Sequence, residues 1–84
     1  MKIQVTQQYI DEGQRGSSTR DPIAFAMSDA GCLRPHAGVT HLSWQDEKHN
    51  RYSVEVPRVV YEFMLGFDNG RPVEPFDFDL EVSK

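Results

Sequence analysis

The chain has 84 residues, 38% hydrophobic and 11% aromatic, which suits one small domain spanning residues 1–84 and is too short for two. Nine Lys and Arg stand against 13 Asp and Glu, and the net charge of -4 disfavours a general nucleic-acid or membrane-surface binder. The single cysteine, Cys32, excludes an intramolecular disulfide framework, and no apolar run approaches the ~18 residues of a membrane span.

The first five residues, Met-Lys-Ile-Gln-Val, lack the apolar stretch of a secretory leader, so a cytoplasmic protein is expected. Ile3 and Val5 alternate with Lys2 and Gln4, the period of a half-buried strand. Thr6 is placed to cap a short helix over 6–12, with Gly13 as a stop in the left-handed conformation. Residues 14–20 are a loop by composition. Asp21 followed by Pro22 is an N-cap and first-turn proline, and Ile23, Ala26, Met27 and Ala30 form one helical face before Gly31. Residues 32–37 contain Pro35 and show no period.

Val39–Trp44 and Arg51–Val56 both alternate, and the polar connection between them predicts an antiparallel hairpin. Pro57 starts the longest helix, about residues 57–68, with Val60, Phe63, Met64 and Phe67 on its apolar stripe and Asn69-Gly70 as its end. Phe76, Phe78, Leu80 and Val82 then alternate with Asp77, Asp79 and Glu81. The expected fold is α+β: a single domain with an about four-stranded, mainly antiparallel sheet and helices on one face. The third strand, last helix and fourth strand are expected to form a right-handed crossover. The opposite sheet face would carry Lys2, Gln4, Asp77, Asp79 and Glu81 to solvent.

Five patterns bear on chemistry. Cys32, His36, His41 and His49 are residue types that zinc prefers, but no paired knuckle fixes two of them locally, so no metal is expected. Ser17, Ser18 and Thr19 with His36 or His41 lack the context of a catalytic nucleophile. A two-layer domain of this size is also expected to have little room for a cleft of ~300 Å³, so the chain reads as no enzyme and without cofactor. Arg15 and Arg20 bracket a small-residue loop that offers weak anion binding, in competition with Asp21. Asp77, Asp79 and Glu81 project from one strand face about 7 Å apart, a row that can imitate phosphates or serve simply as the solvated side of the strand. Phe25 lies ~200° from Ile23, and Tyr61 and Leu65 fall off the stripe of the last helix. Apolar groups that break the pattern mark a second buried face or a partner surface.

Several stretches carry a resemblance. They are Lys2-Ile3 and Val5-Thr6, Arg15-Gly16, Pro22-Ile23-Ala24 with Ala26, and Ala30-Gly31. A longer one runs from Arg51-Tyr52 through Val56-Pro57, Val60, Phe63, Phe67-Asp68, Gly70 and Pro72-Val73 to Pro75-Phe76. Together they resemble a group of small hypothetical proteins encoded in phages and prophages. Asp21 stands where that group often has Cys, so no cysteine chemistry is carried over. The resemblance implies a phage accessory protein that binds and inhibits a host protein, with a CRISPR-type defence complex as the concrete case. Partner contact is expected at Tyr61, Leu65 and Phe25 or at Asp77, Asp79 and Glu81. The alternative is a small nucleic-acid-binding or regulatory factor using Arg15, Arg20 and Arg34. Monomer and edge-paired dimer both remain open.

Overall fold

A computed structural model describes residues 1–81. The elements are β1 (Lys2–Val5), α1 (Gln7–Glu12), α2 (Pro22–Asp29), β2 (Leu33–Ala37), β3 (His41–Gln45), β4 (Arg51–Glu55), α3 (Arg58–Asp68) and β5 (Phe76–Asp79). The fold is α+β and antiparallel, but its strands divide into two sheets. β1 pairs with β5, and β2-β3-β4 form a three-stranded meander.

The division corrects the expected crossover. β5 does not join β4 in parallel; it runs antiparallel to β1, with Ile3 opposite Phe78 and Val5 opposite Phe76. Both strands offer the same two-residue period, so one register buries both apolar sets and exposes Lys2, Gln4, Asp77 and Asp79. Beyond the strand, the Leu80 amide donates to the Met1 carbonyl at 2.7 Å. Val82, the last apolar position of that run, lies outside the described residues.

The second sheet gains a strand that sequence periodicity missed. β2 lies antiparallel to β3, with a register shift between Leu33 and His36 and Arg34 at a φ of 49°. The expected hairpin is β3–β4, with Leu42 opposite Val54 and Trp44 opposite Tyr52. Its turn is organised by Asp46, which accepts from the Lys48 amide at 2.8 Å, the Asn50 amide at 3.0 Å, the Asn50 side chain at 3.0 Å and the Tyr52 hydroxyl at 2.8 Å. The Asn50 side chain foremost, then the Tyr52 hydroxyl, holds this carboxyl down at about 2. A depressed carboxylate contributes stability that is present above its unfolded pKa and lost as pH falls toward about 2. Asp46→Ala is therefore expected to lower the melting temperature at neutral pH by more than it does near pH 2, the difference shrinking as pH falls through about 2, as read by circular dichroism.

One core serves both sheets. α2 contributes Ile23, Ala24, Ala26 and Met27, and α3 contributes Val60, Phe63, Met64 and Phe67. Ile3, Val5, Phe78 and Leu80 enter from one sheet and Ala37, Leu42 and Trp44 from the other. Ala30, expected on the buried face of α2, is its exposed C-cap. Gly13 ends α1 as expected, yet at a φ of -66°, not in the left-handed region. Close approach requires it instead: a Cβ there would fall 2.6 Å from Pro22 Cδ.

Candidate interaction surface

The N-cap reading of Asp21 holds. Its carboxylate accepts from the Ala24 amide at 2.7 Å, and Pro22 fills the first turn. The same residue is 5% exposed, and burial pushes its carboxyl up to about 7 against the lowering effect of the Ala24 amide. Asp68, at the end of α3, adds a further raising influence. Asp21 and Asp68 line a cleft of about 330 Å³ with Gly16, Ser17, Ser18 and Val39. A domain expected to have little room for a cleft of ~300 Å³ thus has one of about that size.

The polar groups of this cleft are spent on the loop itself. Asp68 accepts from the Gly16 amide at 3.0 Å, and Ser17 Oγ accepts from the Arg20 amide at 3.1 Å. The loop closes through the Gln14 amide to the Arg20 carbonyl, and Ser18 accepts from the Ala37 amide of β2, both at 2.8 Å. An amide on which an outside anion would depend is therefore occupied by an internal carboxylate. Arg15 lies against Gly70, and Arg20 is exposed. Arg34 belongs to a different depression, beside Trp44, Arg51 and Tyr52.

Cys32 is buried, with its sulfur 3.7 Å from that of Met1. His36, His41 and His49 are all exposed. No group of three His, Cys, Asp or Glu suited to a metal occurs among the described residues. No described helix is long and apolar enough to cross a membrane.

Three apolar side chains break the helical pattern, and their environments differ. Phe25 is half-buried because Tyr9 of α1 lies beside it, ring centroids 6.5 Å apart, with the Tyr9 hydroxyl donating to Asp29. Tyr61 and Leu65 remain 44% and 46% exposed. Four residues apart, they stack as neighbours on the outer side of α3. Glu62, paired with Arg58 at 3.1 Å, flanks them on one side, and Asp68 follows on the other.

Asp77, Asp79 and Glu81 are exposed, as the alternation requires. Lys2 reaches Asp77 at 3.8 Å from its ladder position opposite Asp79, and Asp79 and Glu81 form no ion pair among the described residues. Sequence reasoning missed the Asp21–Asp68 cleft. Its walls come from four separate segments, of which sequence reading singled out two, the small-residue loop at 16–18 and the Asp21-Pro22 cap, and not the segments from β2 and α3. Comparison with protein-family profiles, with curated proteins and with solved structures found no match to this chain.

Proposed function

We propose that this chain is a non-catalytic accessory protein that acts by covering part of another protein's surface. In the setting implied by the resemblance, that is a phage or prophage product blocking a host protein in the host cytoplasm. The observation that supports it is the Tyr61/Leu65 pair. Two large apolar side chains stay exposed and adjacent on a helix whose opposite face is fully committed to the core. Such groups carry interface energy out of proportion to their number. The net charge of -4 suits a partner with an apolar pocket bordered by Lys or Arg. The Asp77/Asp79/Glu81 row suits the same kind of partner by long-range attraction, which salt weakens.

Affinity capture from host lysate with three tagged forms tests this reading. The wild type should retain one host protein, and Tyr61→Ala with Leu65→Ala should lose it. An anchor pair of this kind is worth ~2 kcal/mol or more, about thirtyfold in affinity. Asp77→Lys with Asp79→Lys should slow association and reduce its dependence on salt. Capture of nucleic acid alone, or equal retention of the host protein by all three forms, would count against the proposal.

A further inference from the structure

The meander has two outer edges, and the chain treats them differently. β2 carries Pro35, a register shift and Arg34 in the left-handed region, and its Ala37 amide is taken by Ser18. These are devices that keep a strand from pairing with another chain. β4 has none of them. It is hydrogen-bonded to β3 alone, contains neither proline nor glycine, and keeps a regular register along its full length.

The groups on the open edge of β4 follow from the ladder. The Val56 amide donates to Thr40 and the Asp46 amide to Asn50, both at 3.0 Å. In an antiparallel pair, bonded and non-bonded residues alternate. Asn50, Tyr52, Val54 and Val56 therefore face β3, and Arg51, Ser53 and Glu55 direct their N–H and C=O groups outward. None of these three has a backbone partner among the hydrogen bonds of the described residues outside the β3 ladder. Arg51 and Glu55 also have exposed side chains with no ion pair among the described residues.

The geometry points to a homodimer in which β4 pairs antiparallel with β4 of a second copy about a two-fold axis at Ser53. That register sets Ser53 opposite Ser53 and each Arg51 opposite Glu55 of the second copy. On the core side it sets Tyr52 opposite Val54 of the second copy, an aromatic and β-branched pair. The charges fit only because the strand reads Arg-Tyr-Ser-Val-Glu, with opposite signs equidistant from its centre. β5 also has an outer edge, but the Leu80–Met1 bonds fix its alternation so that Asp77 and Asp79 direct their N–H and C=O groups there. Self-pairing about Phe78 would align aspartate with aspartate, which like charges oppose. The edges of β5 and β4 thus differ: the first repels its copy and the second matches it.

Analytical ultracentrifugation of the wild type over a concentration series should give a species of twice the chain mass. Ser53→Pro removes the central outward N–H without touching the bonds to β3. It should weaken the dimer at least tenfold while circular dichroism stays unchanged. Glu55→Arg places like charges opposite each other twice per dimer and should weaken it by about tenfold. Arg51→Glu combined with Glu55→Arg restores the match and should return the dissociation constant to within about threefold of wild type. If Ser53→Pro fails to fold, the charge series decides alone. A wild type that stays monomeric to ~1 mM, or a dimer that the double swap fails to restore, would overturn the pairing.

Discussion

Asp21→Asn is expected to make the protein more stable at pH 8 and to remove most of the pH dependence of its stability between about 4 and about 7. The native carboxyl titrates near 7 because it is buried, whereas the unfolded one titrates near 3.8. Between those values the native state holds a proton that the unfolded chain has released. Stability then falls as pH rises, by at most ~1.4 kcal/mol per unit from this group. Solvent reaching the residue through the cleft reduces the total, and ~2 kcal/mol at pH 8 is a fair expectation. Asn is as good an N-cap as Asp, so its side-chain oxygen can keep the bond to the Ala24 amide without the cost of a buried charge. A gain of ~2 kcal/mol in a domain of this size raises the melting temperature by on the order of 10 °C. Thermal unfolding at pH 4, 6 and 8 should show the variant and wild type converging at the acid end and separating toward pH 8. Parallel curves would mean that Asp21 is solvated well enough to ionise freely. Asp21→Ala should show the same change in slope but lose ~1 kcal/mol at every pH through the missing cap.

The elements legible in the sequence are those whose signal is local. Asp21-Pro22 fixes the start of α2, the Val60/Phe63/Met64/Phe67 stripe fixes α3, and the alternation from Phe76 fixes β5. Each depends on residues within a few positions of one another. β2 escaped because Leu33-Arg34-Pro35-His36-Ala37 has a proline and no alternation. It is a strand because β3 offers an edge, and the kink at Arg34 absorbs the mismatch. The division into two sheets is non-local as well. Pairing of residues 2–5 with 76–79 closes the two ends of the chain, a choice no short window records. The surface followed the same rule. Tyr61 and Leu65 were legible from their phase on the helix, and their exposure agrees with it. Phe25 broke the pattern equally, but the cover supplied by Tyr9 depends on how α1 folds back, which phase alone does not state. The cleft needed residues 16–18, 21, 37–39 and 64–68 together, so only its small-residue loop and capping aspartate could be seen beforehand, and not the walls from β2 and α3.

Phe78→Ala is expected to cost ~3–5 kcal/mol, close to the whole margin of a domain this small. Phe78 sits opposite Ile3, and its ring stacks on Phe76 at 5.8 Å. Phe76 meets Phe63 of α3 at 4.9 Å, and Phe63 stacks on Phe67 at 6.2 Å. This aromatic chain ties the β1–β5 ribbon to α3. A two-stranded ribbon is not stable alone in water, so it depends on what its inner face packs against. Truncating Phe78 opens a cavity at that join and loosens both ends of the paired segments together. Phe76, half-buried, loses less surface on truncation, and Phe76→Ala should cost about 1–2 kcal/mol. Tyr61→Ala, on the outer side of α3, should fall within about 0.5 kcal/mol of wild type. Urea unfolding followed by tryptophan fluorescence ranks the three, since Trp44 is buried in the shared core and reports its loss. The order Phe78, Phe76, Tyr61 is the expected result. A Phe78→Ala variant that unfolds at the wild-type urea midpoint would show that the ribbon is held by something other than this aromatic chain. A Tyr61→Ala variant that loses stability would show that Tyr61 is a support of the fold and not a side chain kept for a partner.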